Sequence, residues 1–386
     1  VLAFLVFFPL FLVVYHLALF PLGLMVAAKR RGRRDYPIPP IDQLPTVELM
    51  IAARNESSVI EAKLRNTLEL DYPKEKLHIS VLANGCEDDT PDIVRRYAQQ
   101  GIVLIEEGAI GKTEAQNRAV AASNAEIIVF SDANTFYNRE AILHLVAPFL
   151  DPQVGAVSGR HLYVNREDPT GAGEGVYWND IETRMKQAES DLSGLIGANG
   201  SIYAVRRDLY EPLAPEMMSD FIEPLVIAMR GYRTVFAPKA VSSERSEATF
   251  EREYVRKARI VALSFHSLLN TPGALNPRRS GSLAFLLFSH KILRWFTPPL
   301  LLLATIAAML RMVSGSAGWF ERWVFISVTL FGFLAMLGRG LGMERKIPVL
   351  THAYYVFLMF RAATQGVYEA LTKGVPIVWD PARSNG

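Results

Sequence analysis

Val1 to Ala28 carry no formal charge, and this run is long enough to cross a bilayer as a helix. Lys29-Arg30-Arg31-Gly32-Arg33-Arg34 follows at once, with five positive charges. In isolation such a run resembles a nucleic-acid patch, but after an apolar span it marks the cytosolic side. The overall charge of +2 also argues against a nucleic-acid partner. The segment exceeds a signal-peptide core and has no small-residue cleavage site after it, so it is expected to be a retained anchor. A chain beginning this way is constrained to place the rest of its mass at a membrane face.

Half of the 386 residues are hydrophobic, enough for a full domain core with apolar surface left over. The excess lies at the two ends. Beyond Leu283, Ser289 to Trp295 has one polar and one apolar side, which predicts an interfacial helix over 281–295. A membrane region over 296–372 follows, with candidate spans Phe296–Leu310, Trp323–Leu337 and His352–Tyr368. Arg361 is costly in the middle of the last, so it is functional, snorkelling or a sign of an interfacial segment. The lone Cys86 excludes an internal disulfide and fits a reducing compartment. Together these features predict a multi-pass protein of the inner (plasma) membrane, with a soluble block at 45–270 facing the cytosol.

In that block the pattern alternates. Val47–Ala53, Leu77–Ala83, Ile102–Ile105 and Ile127–Phe130 read as strands. Helices are expected from Asn55-Glu56 to about Leu70, from Thr90-Pro91, and from Lys112 to Ser123. This predicts an α/β fold, an open and mostly parallel sheet with helices on both faces. The strand Ile127–Phe130 is apolar and β-branched, then stops at Asp132. A carboxylate at the end of a buried parallel strand sits where such sheets bind ligands, and it suits a cation.

Other chemistries lack support. Gly171-Ala172-Gly173-Glu174-Gly175 has neither the strand nor the spacing of a dinucleotide fingerprint and reads as a flexible loop. There is no GxxxxGK[ST] loop, no GxSxG elbow, and no metal-ligand spacing among the seven histidines. Tyr177 and Trp178 read as core, and Cys86 as packing with a chance of slow alkylation near a nucleotide.

Seven segments in order resemble the membrane-bound family-2 glycosyltransferases, the group that includes hyaluronan, chitin and cellulose synthases. They are Ala53-Arg54-Asn55-Glu56; Asn84-Gly85-Cys86-Glu87-Asp88-Asp89-Thr90; Gly111 to Asn117; Ser131-Asp132-Ala133-Asn134; Gly197 to Arg207; Ser219-Asp220-Phe221-Ile222-Glu223; and Arg256-Lys257-Ala258-Arg259-Ile260. The resemblance covers roughly Pro45 to His266 and implies a GT-A-like fold that binds a nucleotide-sugar donor, UDP-linked by analogy. On that analogy Ala53, Asn55, Glu56, Asn84, Lys112, Asp132 and Arg256 hold the donor. Asp132 and Asn134 hold Mg2+ or Mn2+. Asp220 is the general base of an inverting transfer, with Arg259 beside it.

Three departures qualify the match. Asn84 replaces the aspartate that faces the uracil ring; its oxygen can still accept from the ring N–H. Asn134 replaces the second acid of D-x-D, so the metal site is lean in charge, a composition Mg2+ tolerates. Ile260 replaces the tryptophan of Q-x-x-R-W and cannot stack on an acceptor sugar, which favours a short or single addition to a polysaccharide or lipid acceptor.

Local readings compete with the analogy. Asp220 with Glu223 is also a capping box, and Arg256, Lys257 and Arg259 also fit a basic helix facing membrane lipids. The alternative function is a catalytically inactive nucleotide- or glycan-binding assembly partner. Asn84, Asn134 and Ile260 favour it, and the joint retention of Asp132, Lys112, Asp220 and Arg259 opposes it.

Overall fold

The computed structural model describes residues 1–164, 180–245, 247, 249–342 and 347–378. The glycine-rich segment 171–175, Tyr177 and Trp178 lie outside the described residues.

Strands β1 (Val47–Ala53), β2 (Leu77–Asn84), β3 (Ile102–Glu107) and β4 (Ile127–Asp132) pair in parallel, β1 between β2 and β4. β5 (Phe136–Tyr137), β6 (Val154–Tyr163), β7 (Ile202–Arg206) and β8 (Arg233–Glu244) extend the sheet to eight strands in the order β3-β2-β1-β4-β7-β6-β8-β5. β7 runs antiparallel to β4 and β6, β8 is parallel to β6, and β5 is antiparallel to β8. The expected mostly parallel α/β sheet is present, with antiparallel pairs at β7 and β5.

The apolar runs are buried on both faces, as the period of a strand requires. Leu49, Ile51, Ile127 and Val129 enter one core with Ile60 and Leu64. Met50, Ile128 and Phe130 enter the opposite one with Ala119, Val120 and Tyr203. Each such side chain contributes about 1.5–3 kcal/mol by leaving water, which fixes the strands up to the polar residues at their ends.

Helix α1 (Leu2–Arg31) is followed by α2 (Ile60–Leu68), α3 (Thr90–Arg95), α4 (Lys112–Ala122), α5 (Ala141–Val146) and α6 (Thr183–Leu192). Then come α7 (Ser219–Met229), α8 (Phe250–Leu269), α9 (Ser282–Val313), α10 (Trp319–Leu341) and α11 (Pro348–Thr372). α2 starts at Ile60 rather than at Asn55, because Asn55 has φ +52° and breaks the helical path.

α1, α9 and α10 are long and apolar enough to cross a membrane. The segment 281–295 runs into the following span without a break, and its polar side turns inward: Ser289 and His290 are buried. α11, which contains His352–Tyr368, packs along α8. Gly366 makes that approach possible, since a Cβ there would lie 2.5 Å from the Ala258 carbonyl. Arg361 is placed 4.8 Å from the centre of the Tyr254 ring.

Candidate active site

The chain leaves β1 toward β2 and β3 on one side and returns to β4 on the other, so the strand order reverses beside β1. Open α/β sheets bind ligands at the carboxyl ends of strands at such a point. Ala53, Asn84 and Asp132, the last residues of β1, β2 and β4, all line one cavity of about 370 Å3 there. Glu56, Lys112, Asn134, Asp220, Arg256 and Arg259 also line it. Asn55 does not line this cavity; its Oδ1 accepts from the Glu87 N–H at 2.8 Å and ties two loops together. Cys86 is likewise outside the lining, and burial pushes its thiol pKa up.

Asn84 has its Oδ1 occupied by the Ile110 N–H at 2.9 Å. That bond fixes the amide orientation and leaves the NH2 as a donor on the cavity side. The Oδ1 keeps a second lone pair, so the hydrogen bond anticipated from the sequence stays open beside one donated by the NH2.

Asp132 projects from the end of β4, and its Oδ1 accepts from Lys112 Nζ at 2.5 Å. Lys112 opens α4 after Gly111, which has φ +91°. Burial works against the lysine's charge, yet Asp132 and Asp220 hold its pKa above the ordinary value. Asn134 donates its Nδ2 to Glu244 at 3.2 Å, so its Oδ1 is the atom turned away from that bond. One carboxylate and one amide oxygen fit a hard divalent cation that takes its other ligands from diphosphate and water. Among the described residues no group of three or more His, Cys, Asp or Glu is arranged to hold a metal, so the site is as lean as its sequence.

Behind Asp132 lies a residue that the motifs do not mark. Lys63 is fully buried and donates to Ser131 Oγ at 2.8 Å and to the Thr135 carbonyl at 2.7 Å. Its ammonium sits 4.1 Å from the Tyr137 ring centre. Burial draws its pKa down to about 7 while Asp132 pulls the other way. Lys63 thus pins both sides of the turn that carries Asp132 and Asn134. A helical stripe reveals it: Ile60, Lys63, Leu64 and Thr67 form the buried face of α2.

Asp220 is the second residue of α7, whose N-cap is Met218 with no side-chain cap bond. The capping-box reading therefore does not describe this helix start. Glu223 is buried, and its Oε1 accepts from the Glu211 N–H at 3.3 Å. Asp220 instead faces Gly200: a Cβ at Gly200 would lie 2.6 Å from Asp220 Oδ2. The glycine in Gly197 to Arg207 makes room for that carboxylate. Burial pushes the Asp220 carboxyl above the usual carboxylate range, against the pull of Lys112.

Arg256 and Arg259 reach the cavity from α8. The Arg256 guanidinium donates to Glu253 at 3.0 and 3.1 Å, to Glu244 at 3.4 Å and to Tyr163 Oη at 2.6 Å. Lys257 pairs with Glu253 at 3.3 Å. Although burial opposes it, Lys257 and Arg256 hold the Glu253 carboxyl well below its ordinary value. These contacts turn the basic residues toward the protein rather than toward lipid. His161, also in the lining, meets Ser201 Oγ at 3.0 Å, and burial with the nearby Arg256 charge drives its pKa down to about 3, so it is neutral. Pro376 and Ile377, beyond α11, close one edge; a Cβ on Gly111 would lie 2.8 Å from Ile377.

The family model for glycosyltransferase like family 2 matches residues 45–262. Over 239 residues the chain is 28% identical to a probable glycosyltransferase of Bacillus subtilis, covering 56% of this chain and 55% of that protein. Over 247 residues it is 24% identical to poly-β-1,6-N-acetyl-D-glucosamine synthase of Staphylococcus aureus, covering 62% of this chain and 59% of that one. The chain thus spans somewhat more than half the length of these relatives. Its fold is similar to that of the mannosyltransferase PcManGT from Pyrobaculum calidifontis, solved in complex with GDP-Man and Mn2+. That similarity has a TM-score of 0.68 at 24% identity, over 95% of this chain and 99% of the other.

Proposed function

The chain belongs to glycosyltransferase family 2, and from that premise we propose that it moves a hexosyl or N-acetylhexosaminyl group from a nucleoside-diphospho-sugar to a membrane-associated polysaccharide or lipid acceptor. The observation that carries this reading is the shared cavity at the sheet's reversal point, which holds the Asp132–Lys112 pair and the half-buried Asp220 carboxylate together.

In this reading the donor lies across the ends of β1, β2 and β4. A uridine ring suits the Asn84 NH2 through a ring carbonyl, and so does guanine; uridine remains the base suggested by the wider family. Lys112 and Arg259 face the diphosphate, while Arg256, held by Glu253, sets the position of α8 beside it. Asp132 and the Asn134 Oδ1 would hold Mg2+ or Mn2+, which would neutralise the diphosphate leaving group. The acceptor hydroxyl oxygen attacks the anomeric carbon as the bond from that carbon to the diphosphate breaks. The leaving group departs with the electron pair, and the hydroxyl proton passes to Asp220. A single displacement inverts the configuration, and Ile260 in place of a stacking tryptophan favours few additions per encounter. The length and apolar composition of α1, α9 and α10 support a position in the inner (plasma) membrane, and the basic run after α1 supports a soluble block on the cytosolic side.

A panel of UDP- and GDP-sugars offered to the purified full chain in detergent, with Mn2+, Mg2+ or chelator, tests the reading. Metal-dependent release of nucleoside diphosphate from one donor is expected, and Asp132→Ala abolishes it. No release from any donor by protein that is folded would favour a non-catalytic binding role instead.

A further inference from the structure

The cavity has a second basic wall, away from Lys112 and Arg259. Lys186 of α6 and Lys291 of α9 both line it, and the charges of both act on Asp220. The Lys186 side chain is 7% exposed, and its ammonium donates to the neutral Asn199 Oδ1, one residue before Gly200. Lys291 Nζ stands 5.7 Å from the ring centre of Phe221, the neighbour of Asp220. Two nearby carboxylates are engaged with other groups. Glu182 Oε2 accepts from Arg294 at 3.1 Å and faces His290 Nε2 at 3.4 Å, and Glu189 Oε1 meets His290 Nδ1 at 2.5 Å. Among the described residues, no carboxylate forms an ion pair with Lys186 or Lys291.

Lys186 is buried and Lys291 half-buried, and Glu182, Glu189 and Asp220 act on both without an ion-pair contact, so an anion entering the cavity can supply the direct ionic partner that neither ammonium has among the described residues. Burial draws the Lys186 pKa down only to about 8, with Glu182 opposing, so it remains charged at neutral pH. The wall is also where the spans meet the soluble block. Tyr15 Oη and His16 Nδ1 of α1 each hold Ser289 at 2.9 Å, two residues before Lys291. Ser289 lies in the π-helical turn Leu287–Ile292.

We infer that Lys186 and Lys291 form an anion subsite for a phosphate or diphosphate group carried by the acceptor, close to the hydroxyl that meets Asp220 and presented from the membrane side. This deepens the proposed function and rests on it.

The test uses the full chain in detergent and measures binding of farnesyl phosphate, farnesol and glucose 1-phosphate, alongside nucleoside-diphosphate affinity in the same preparation. Farnesyl phosphate is expected to bind at least ten-fold more tightly than farnesol. The Lys186→Met/Lys291→Met protein should lose that preference while nucleotide affinity is unchanged, and Lys186→Arg/Lys291→Arg should keep it. Glucose 1-phosphate binding as tightly as farnesyl phosphate would retain the anion subsite and overturn the membrane-held source. Equal binding of farnesyl phosphate and farnesol, or a preference that survives the double Met change, would overturn the subsite itself. Failure of nucleotide binding in the wild-type protein would count against the proposed function rather than against this wall.

Discussion

A carboxylic acid buried without a cation keeps its proton, and Glu223 is such a group. Burial pushes its pKa from 4.5 to about 8, and its Oε2 has no partner among the described residues. Between those two values the unfolded chain releases a proton that the folded protein retains. Stability therefore falls as pH rises through that window, by about 1.4 kcal/mol per pH unit for this group. Thermal unfolding of the wild-type protein and of Glu223→Gln at pH 5, 6.5 and 8 checks this. The variant should flatten the decline, and an unchanged slope would show that Glu223 is ionised in the fold. At this scale the motifs marked residues most of which line one cavity, and could not assign atoms. Asp220 and Glu223 share the spacing of a capping box, and only the position of Met218 as N-cap separates a helix signal from a carboxylate facing Gly200. Asn84 shows the same limit, since the Ile110 N–H that takes its oxygen lies 26 residues away.

At the scale of elements, the turn after β4 depends on α2 through Lys63. Replacing it by Met leaves Ser131 and the Thr135 carbonyl without their buried donor, a loss of about 1–3 kcal/mol. Lys63→Met should therefore loosen Asp132 and Asn134 and weaken metal-dependent nucleotide binding by about ten-fold or more, measured by titration at fixed Mn2+. Unchanged affinity would show that the turn holds its shape without the lysine. The four parallel strands were legible because strands buried on both faces have continuous apolar runs, as Ile127 to Phe130 does. α2 was placed too early because Asn55 reads as a helix start until its left-handed φ is seen. The inward turn of Ser289 and His290 was not legible either, since an amphipathic segment has the same pattern whether its polar side meets headgroups or a buried Glu189.

Across the whole molecule, the spans and the site share one core. Phe20 and Leu24 of α1, Met185 of α6, Phe221 of α7, Phe265 of α8 and Leu287 and Trp295 of α9 are buried together. The Trp295 ring lies 6.4 Å from Phe221 and 5.7 Å from Phe265, centre to centre. The residue next to Asp220 thus packs on a helix long and apolar enough to cross a membrane, which ties the proposed base to that helix. None of these contacts is local in sequence, so the motifs pointed to the candidate residues without showing that the long apolar helices pack beside them. The central claim is that Asp220 takes the acceptor proton beside a donor site built around Asp132. Its most direct test is the transfer rate of Asp220→Asn, measured together with nucleotide affinity and with the wild-type pH profile. The account predicts a loss of about 10²–10⁴-fold in transfer with nucleotide affinity unchanged, and a wild-type rate that falls on the acid side with a midpoint above the ordinary aspartate value of 3.8. Transfer by Asp220→Asn near the wild-type rate would contradict it.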